Sequence, residues 1–184
     1  MITTYTPAPK AEKSKKTEKL QTPVANPNWE AGDDAFPPEA AQLTPDRRTE
    51  ARLCVVQALA QHLLAKQPLA QVELEFASRL GKRKADKTVW ARVWGSATDA
   101  SSNAPQRFMD LLAAERLPNW DWPRMDPVLR AVLWAASAEL ASTPDLPTPI
   151  LISEYLNISR GFLADAEVKY LQKSLAGVAS KIRP

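Results

Sequence analysis

The sequence predicts an all-α fold of about seven helices, and three observations carry that reading. Apolar residues recur at i, i+3, i+4 and i+7 in one stretch after another. No segment alternates apolar and polar residues in the manner of a strand. Only five glycines punctuate the 184 residues, too few for a β-rich chain with many tight turns or for phosphate-cradling loops. Sixteen prolines stand against this at first sight. Six of them (Pro7, Pro9, Pro23, Pro27, Pro37, Pro38) fall in the first 43 residues, and several others stand where helices begin.

Residues 1–43 are rich in Pro, Ala, Lys and Thr, with Trp29 and Phe36 as the large anchors. Such a segment buries too little surface to offset its ordering entropy, so a disordered tail is expected ahead of a helical domain over 44–184. The first half of the tail is basic (KAEKSKKTEK). From Glu30 to Asp46 there is no Lys or Arg, and that acidic piece reads as a solubilising linker or as a competitor for a basic surface.

Three helix starts share one device: Thr44-Pro45, Asp126-Pro127 and Thr148-Pro149 each set a capping side chain before a proline at the first helical position. The predicted stripes follow. Leu53, Val56, Ala60, Leu63 and Leu64 line the first helix. Leu129, Val132, Leu133, Ala136 and Leu140 line a later one. Ile152, Tyr155, Ile158 and Phe162 line the next, and Val168, Leu171, Leu175, Val178 and Ile182 the last, with Asp165 as its candidate cap. Between them, Gln71–Leu80, Val89–Ala97 and Gln106–Arg116 read as helices. A basic loop, GKRKADK (81–87), and a turn, PNWDWP (118–123), separate these pieces. Short connections of this kind imply a packed bundle.

The formal charge of +3 is unevenly placed. Residues 1–46 carry five Lys/Arg against seven Asp/Glu, and residues 47–184 carry 19 against 14, so the basic excess lies in the helical part. That excess permits nucleic-acid binding, and a well-solvated surface accounts for it equally.

Catalytic chemistry finds little to work with. One cysteine, Cys54, and one histidine, His62, exclude an internal disulfide and the usual Cys/His zinc site. Cys54 lies among apolar residues and reads as core, and His62 reads as a boundary residue. Neither GxGxxG, GxxxxGK[ST] nor HExxH occurs. No catalytic residue, metal or cofactor is expected. No run of 18 apolar residues spans a membrane, and the N-terminus lacks the apolar core of a secretory signal, so a cytoplasmic setting is expected. Trp90, Trp94 and Trp134 fall at core spacing, while Trp120 and Trp122 sit in the turn. What remains is charge. Arg47, Arg48 and Arg52 crowd the first turns of a helix, where they oppose the helix dipole; either an anion or a carboxylate such as Glu50 is the expected counter-charge.

Several segments carry a resemblance. RRTEARLCVVQALAQHLLA (47–65) is similar to the arginine-rich opening helix of the NusB family, and VELEFASRLG (72–81) and VWARVWGS (89–96) resemble the segments that follow. MDPVLRAVLWAASAELASTPDLPTPILISEYLNISRGF (125–162) is the fullest match, and DAEVKYLQKSLAGVASKIR (165–183) resembles the closing helix. The pieces are collinear over about 45–184. The resemblance implies an all-helical fold of two packed sub-bundles. It also implies a bacterial transcription antitermination factor that binds boxA-type single-stranded RNA with the small ribosomal protein NusE. Such a factor works within an RNA polymerase antitermination complex on ribosomal RNA operons. On this reading Arg47, Arg48 and Arg52 contact phosphate, Tyr170, Gln172 and Lys173 lie beside the RNA path, and the NusE-like partner docks on the later helices.

The sequence departs from the family's pattern at positions that the resemblance assigns mostly to the RNA side. Thr49 and Glu50 stand where positive charge is common, Ala60 where a tyrosine is usual, and Trp134 where arginine is usual. The closing motif F-V-N-G-V-L-D reads YLQKSLAG (170–177), with Gln172 for the asparagine, Lys173 for glycine and Ala176 for aspartate. These departures leave open a second reading, a protein-interaction module that kept the fold and lost the RNA. A solvent-exposed Trp134 would favour it. A third reading, the helical domain of a ribosomal RNA cytosine methyltransferase, needs an α/β cofactor domain for which 184 residues leave no room.

Overall fold

Two helices buried along most of their length form the centre, and the others cover them. α1 (Arg47–Ala65) buries Ala51, Cys54, Val55, Ala58 and Leu59, and α5 (Pro127–Ser142) is buried without interruption from Ala131 to Leu140. A helix without a polar face, as α5 is here, is stable only when surrounded. In this computed structural model, which describes residues 46–115 and 124–183, α1 packs on α2 (Leu69–Lys82), α3 (Lys87–Thr98), α5 and α6 (Thr148–Ser159). α5 packs in turn on α1, α3, α4 (Ala104–Ala114), α6 and α7 (Asp165–Ile182). The described residues thus hold seven helices and no strand, with the α1–α3 group meeting the α4–α7 group along α5. The expectations for residues 1–43, for Thr44-Pro45 as a cap and for Trp120 and Trp122 lie outside the described residues.

The caps divide. Asp126 behaves as the sequence predicts: its carboxylate accepts from the amides of Val128 (2.7 Å) and Leu129 (3.1 Å), with Pro127 opening α5. Thr148 does not cap. It is already helical, and its hydroxyl accepts from the Arg183 guanidinium at 3.2 Å instead. Asp165 likewise opens α7 from within, and Glu167 reaches back to the Ala164 amide at 2.9 Å.

The α1 stripe is shifted from its predicted face. Val56 and Ala60 are buried, but Leu64 is 62% exposed, and the deepest face is Ala51, Cys54, Val55, Ala58 and Leu59. The α6 stripe shifts too: Tyr155 is buried, Ile152 is half-buried, and Phe162, beyond the helix, is 44% exposed. The α7 stripe stands, with Val168, Leu171, Leu175 and Val178 buried and Ile182 at the edge. A column of aromatic rings joins α2 to α3. Phe76 stacks on Trp90 (centroids 5.8 Å apart) and Trp90 on Trp94 (5.2 Å), with the Arg79 guanidinium over Phe76.

Candidate nucleic-acid interface

The start of α1 is held against the turn between α2 and α3. Gly81–Asp86 closes on itself through the Ala85 amide, which donates to the Leu80 carbonyl (3.1 Å), and Lys84 takes a left-handed conformation (φ 54°). Two bonds then dock α1: the Asp86 amide donates to the Arg47 carbonyl (2.9 Å), and Arg47 Nε donates to the Lys84 carbonyl (3.2 Å). Asp86 also caps α3, accepting from Thr88 (2.9 Å) and Val89 (3.1 Å). The Val89 amide bond foremost holds its carboxyl below the usual aspartate range, and it stays charged.

This docking gathers the positive charge. Arg47, Arg83, Lys84 and Lys87 line an open cleft of about 950 Å³ together with Glu50 and Asp86. Arg48 and Arg92 stand on the edge of a neighbouring cleft between α1, α3 and the end of α5. Arg83 is partly neutralised, since it pairs with Glu50 and donates to the Gln57 side chain. Lysines and arginines in this arrangement can grip successive phosphates of an extended strand.

The six residues singled out in the sequence fall into two groups. Arg47 and Arg48 are exposed at the start of α1, on this basic face. Gln172 and Lys173 are exposed on α7, where Gln172 lines a groove made by α6 and α7. The other two point inward. Arg52 is 6% exposed and fully engaged: Nε and Nη2 donate to Glu139 (2.9–3.1 Å), and Nη1 donates to Glu154 (3.2 Å). Burial works against its charge, and the Glu139 bond and charge outweigh that and hold its pKa above the ordinary value. Tyr170 is 3% exposed in the core of α7. Arg52 therefore serves as a buried tie, and a surface phosphate contact is not open to it in this conformation. Tyr170 likewise offers no exposed ring face.

The departures also move. Trp134 is 2% exposed, and its indole N–H donates to the Ala97 carbonyl at 3.2 Å, so it is a core residue and gives no support to a docking surface. His62 packs edge-on against it (6.0 Å) and bonds to the Gln67 carbonyl through Nδ1. Glu50 is buried beside Arg83, which explains a carboxylate at that position. Cys54 is buried, and burial raises its thiol pKa. Ala60 opens an apolar groove of about 510 Å³ with Leu64 and Phe162 on its rim.

The residues that sequence reasoning left out of the site are Arg83, Lys84, Lys87 and Arg92. The signal was present in the basic run 81–87. What was missing was the fold that sets it beside Arg47. Among the described residues no group of His, Cys, Asp and Glu could hold a metal ion, and no helix is long and apolar enough to cross a membrane.

Comparisons with known proteins agree with this architecture. The model of the NusB family matches residues 49–171. The transcription antitermination protein NusB of Brucella melitensis biotype 1 is 36% identical over 148 residues, covering 77% of this chain and 85% of the relative. The NusB protein of Brucella ovis is 36% identical over 146 residues, 76% of this chain and 84% of the relative. Among solved structures, T. maritima NusB superposes with a TM-score of 0.60 at 24% identity, over 74% of this chain and 93% of that one. The chain belongs to the NusB family.

Proposed function

We propose that this protein acts in bacterial transcription antitermination by binding boxA-type single-stranded RNA, together with a NusE-like ribosomal protein, in the cytoplasm. One observation carries the reading: the α1 start and the 82–87 turn are bonded together so that Arg47, Lys84 and Lys87 line one cleft and Arg48 the adjoining one. Clustered cations on a rigid frame suit a phosphate backbone. Arg47 and Arg48 keep the role expected of them, and Lys84, Lys87 and Arg92 join them. Arg52 supports the frame through Glu139 and Glu154. Gln172 and Lys173 lie on the α6–α7 side, where the groove with Ile152 and Leu156 suits the partner protein. The antitermination activity of the Brucella relatives is consistent with this assignment.

The test is a titration of boxA-like and scrambled RNA with the full chain, with and without a NusE-like protein. Tighter binding of the boxA-like strand in the partner's presence supports the proposal. Equal, weak binding of both strands with the partner present rejects it.

A second reading, a protein-interaction module, draws on a different observation. Leu64 and Phe162 are exposed on the rim of an apolar groove, and exposed apolar patches mark contact surfaces. Binding of the partner protein without any RNA dependence would favour it.

A further inference from the structure

We infer that the cleft between α1, α3 and the end of α5 is a base-reading subsite that seats one unpaired nucleobase carrying an exocyclic amino group, with Asp145 as the discriminating residue. This rests on the reading of the adjoining basic face as an RNA surface. The cleft holds about 630 Å³, within the range of small-ligand sites, roughly 300–1,000 Å³. Its floor is the Arg52–Glu139 pair, whose charges are spent on each other and on Tyr155 and Glu154. Asp86 is occupied in capping α3. The charged groups left to meet a ligand are Arg48 and Arg92 on one side and Asp145 on the α5–α6 turn.

That balance selects the ligand class. A bare phosphate would be drawn to the arginines but opposed by Asp145 and Asp86, and a cation would meet the reverse. A neutral planar base satisfies both sides. Its face stacks on a guanidinium plane, and its amino group donates to the carboxylate. The flanking phosphates remain on the outer rim with Arg47 and Lys87. Cytosine presents a donating N4 amino group where uracil presents the O4 acceptor, so Asp145 attracts one and repels the other.

The experiment uses the full chain and fluorescently labelled cytidine-only and uridine-only RNA strands of equal length. The wild-type protein is expected to bind the cytidine strand about fivefold or more tightly than the uridine strand. Asp145→Ala should bring that ratio near one while leaving the salt dependence unchanged. Asp145 is exposed on a turn, so the variant should fold, and circular dichroism checks that. Arg92→Ala should weaken both strands. A wild-type protein with no preference, or a ratio that survives Asp145→Ala, overturns the subsite and leaves the RNA-surface reading standing. Failure of the wild-type protein to bind either strand overturns both.

Discussion

Arg52 on α1 and Glu139 on α5 are joined by two guanidinium nitrogens, with Nη2–Oε1 at 2.9 Å and Nε–Oε2 at 3.0 Å, and both side chains are all but excluded from solvent. Glu139 is further fixed by the Tyr155 hydroxyl (2.8 Å), whose pKa burial and then Glu139 push well above the ordinary tyrosine value. Thr49 donates to Glu154 at 2.9 Å, so the network reaches the surface beside Arg48. A buried pair of this geometry is costly to break from one side, because the remaining charge has no partner. Arg52→Ala should lower stability by about 3–5 kcal/mol, read by urea denaturation. The double variant Arg52→Met with Glu139→Gln should cost less than Arg52→Ala alone, since it removes both charges and leaves neither stranded. Near-wild-type stability of Arg52→Ala would show that the pair does not hold α1 to α5.

A second tie lies at the same, C-terminal end of α5. Arg183 Nε donates to the Leu140 carbonyl (2.8 Å) and Nη1 to the Leu146 carbonyl (2.6 Å), while Nη2 bonds the Thr143 carbonyl. A cation on the last carbonyls of a helix also complements its dipole. Arg183→Ala should destabilise the fold by about 1.5–3 kcal/mol. Amide exchange should rise most in the 143–147 turn. Uniform exchange across the chain would argue that Arg183 is not the local clamp.

Asp86 gives a pH prediction. Its folded pKa is depressed, chiefly by the Val89 amide bond, so its contribution is present above the unfolded value and lost as pH falls through the lower folded value. The loss should begin below about pH 4, where an unfolded aspartate protonates. Asparagine caps helices about as well and does not titrate. Asp86→Asn should therefore flatten the acid limb of a melting-temperature profile while changing the neutral plateau little. An unchanged acid limb would assign the acid sensitivity elsewhere.

Cys54 should be inert in the folded chain. It is fully buried, and burial raises its thiol pKa. Reaction with a thiol reagent should track global unfolding in urea, and rapid labelling of the native protein would contradict the packing of α1.

Most of the fold was legible because each helix carries its own periodicity. α7 shows this best: Val168, Leu171, Leu175 and Val178 were readable as a stripe and are buried as one. α1 was harder for a physical reason. A central helix has apolar residues on most sides, so periodicity cannot say which side faces outward, and Leu64 was placed inside when it lies at the rim of a groove. The site was legible in part. Arg47 and Arg48 announced a basic helix start, and GKRKADK announced a basic loop, but their union depends on two hydrogen bonds, one from the Arg47 side chain and one between backbones, across 37 and 39 residues of chain. Arg52 was misread because its partners, Glu139 and Glu154, lie on α5 and α6 and no local spacing points to them. Trp134 was readable at core spacing and is buried, although nothing local points to its indole bond with Ala97 on α3.

The central claim is that the face built from Arg47, Arg48, Lys84 and Lys87 holds an RNA backbone. The most direct measurement is the salt dependence of RNA affinity for the wild-type chain and for the variant in which these four residues are alanine. Each lost phosphate contact should reduce the slope of log affinity against log salt by about 0.7 for a single strand. The quadruple variant should therefore lose most of the wild-type slope, with its helical circular dichroism retained. An equal slope in the two proteins would contradict the claim and move the RNA to another surface.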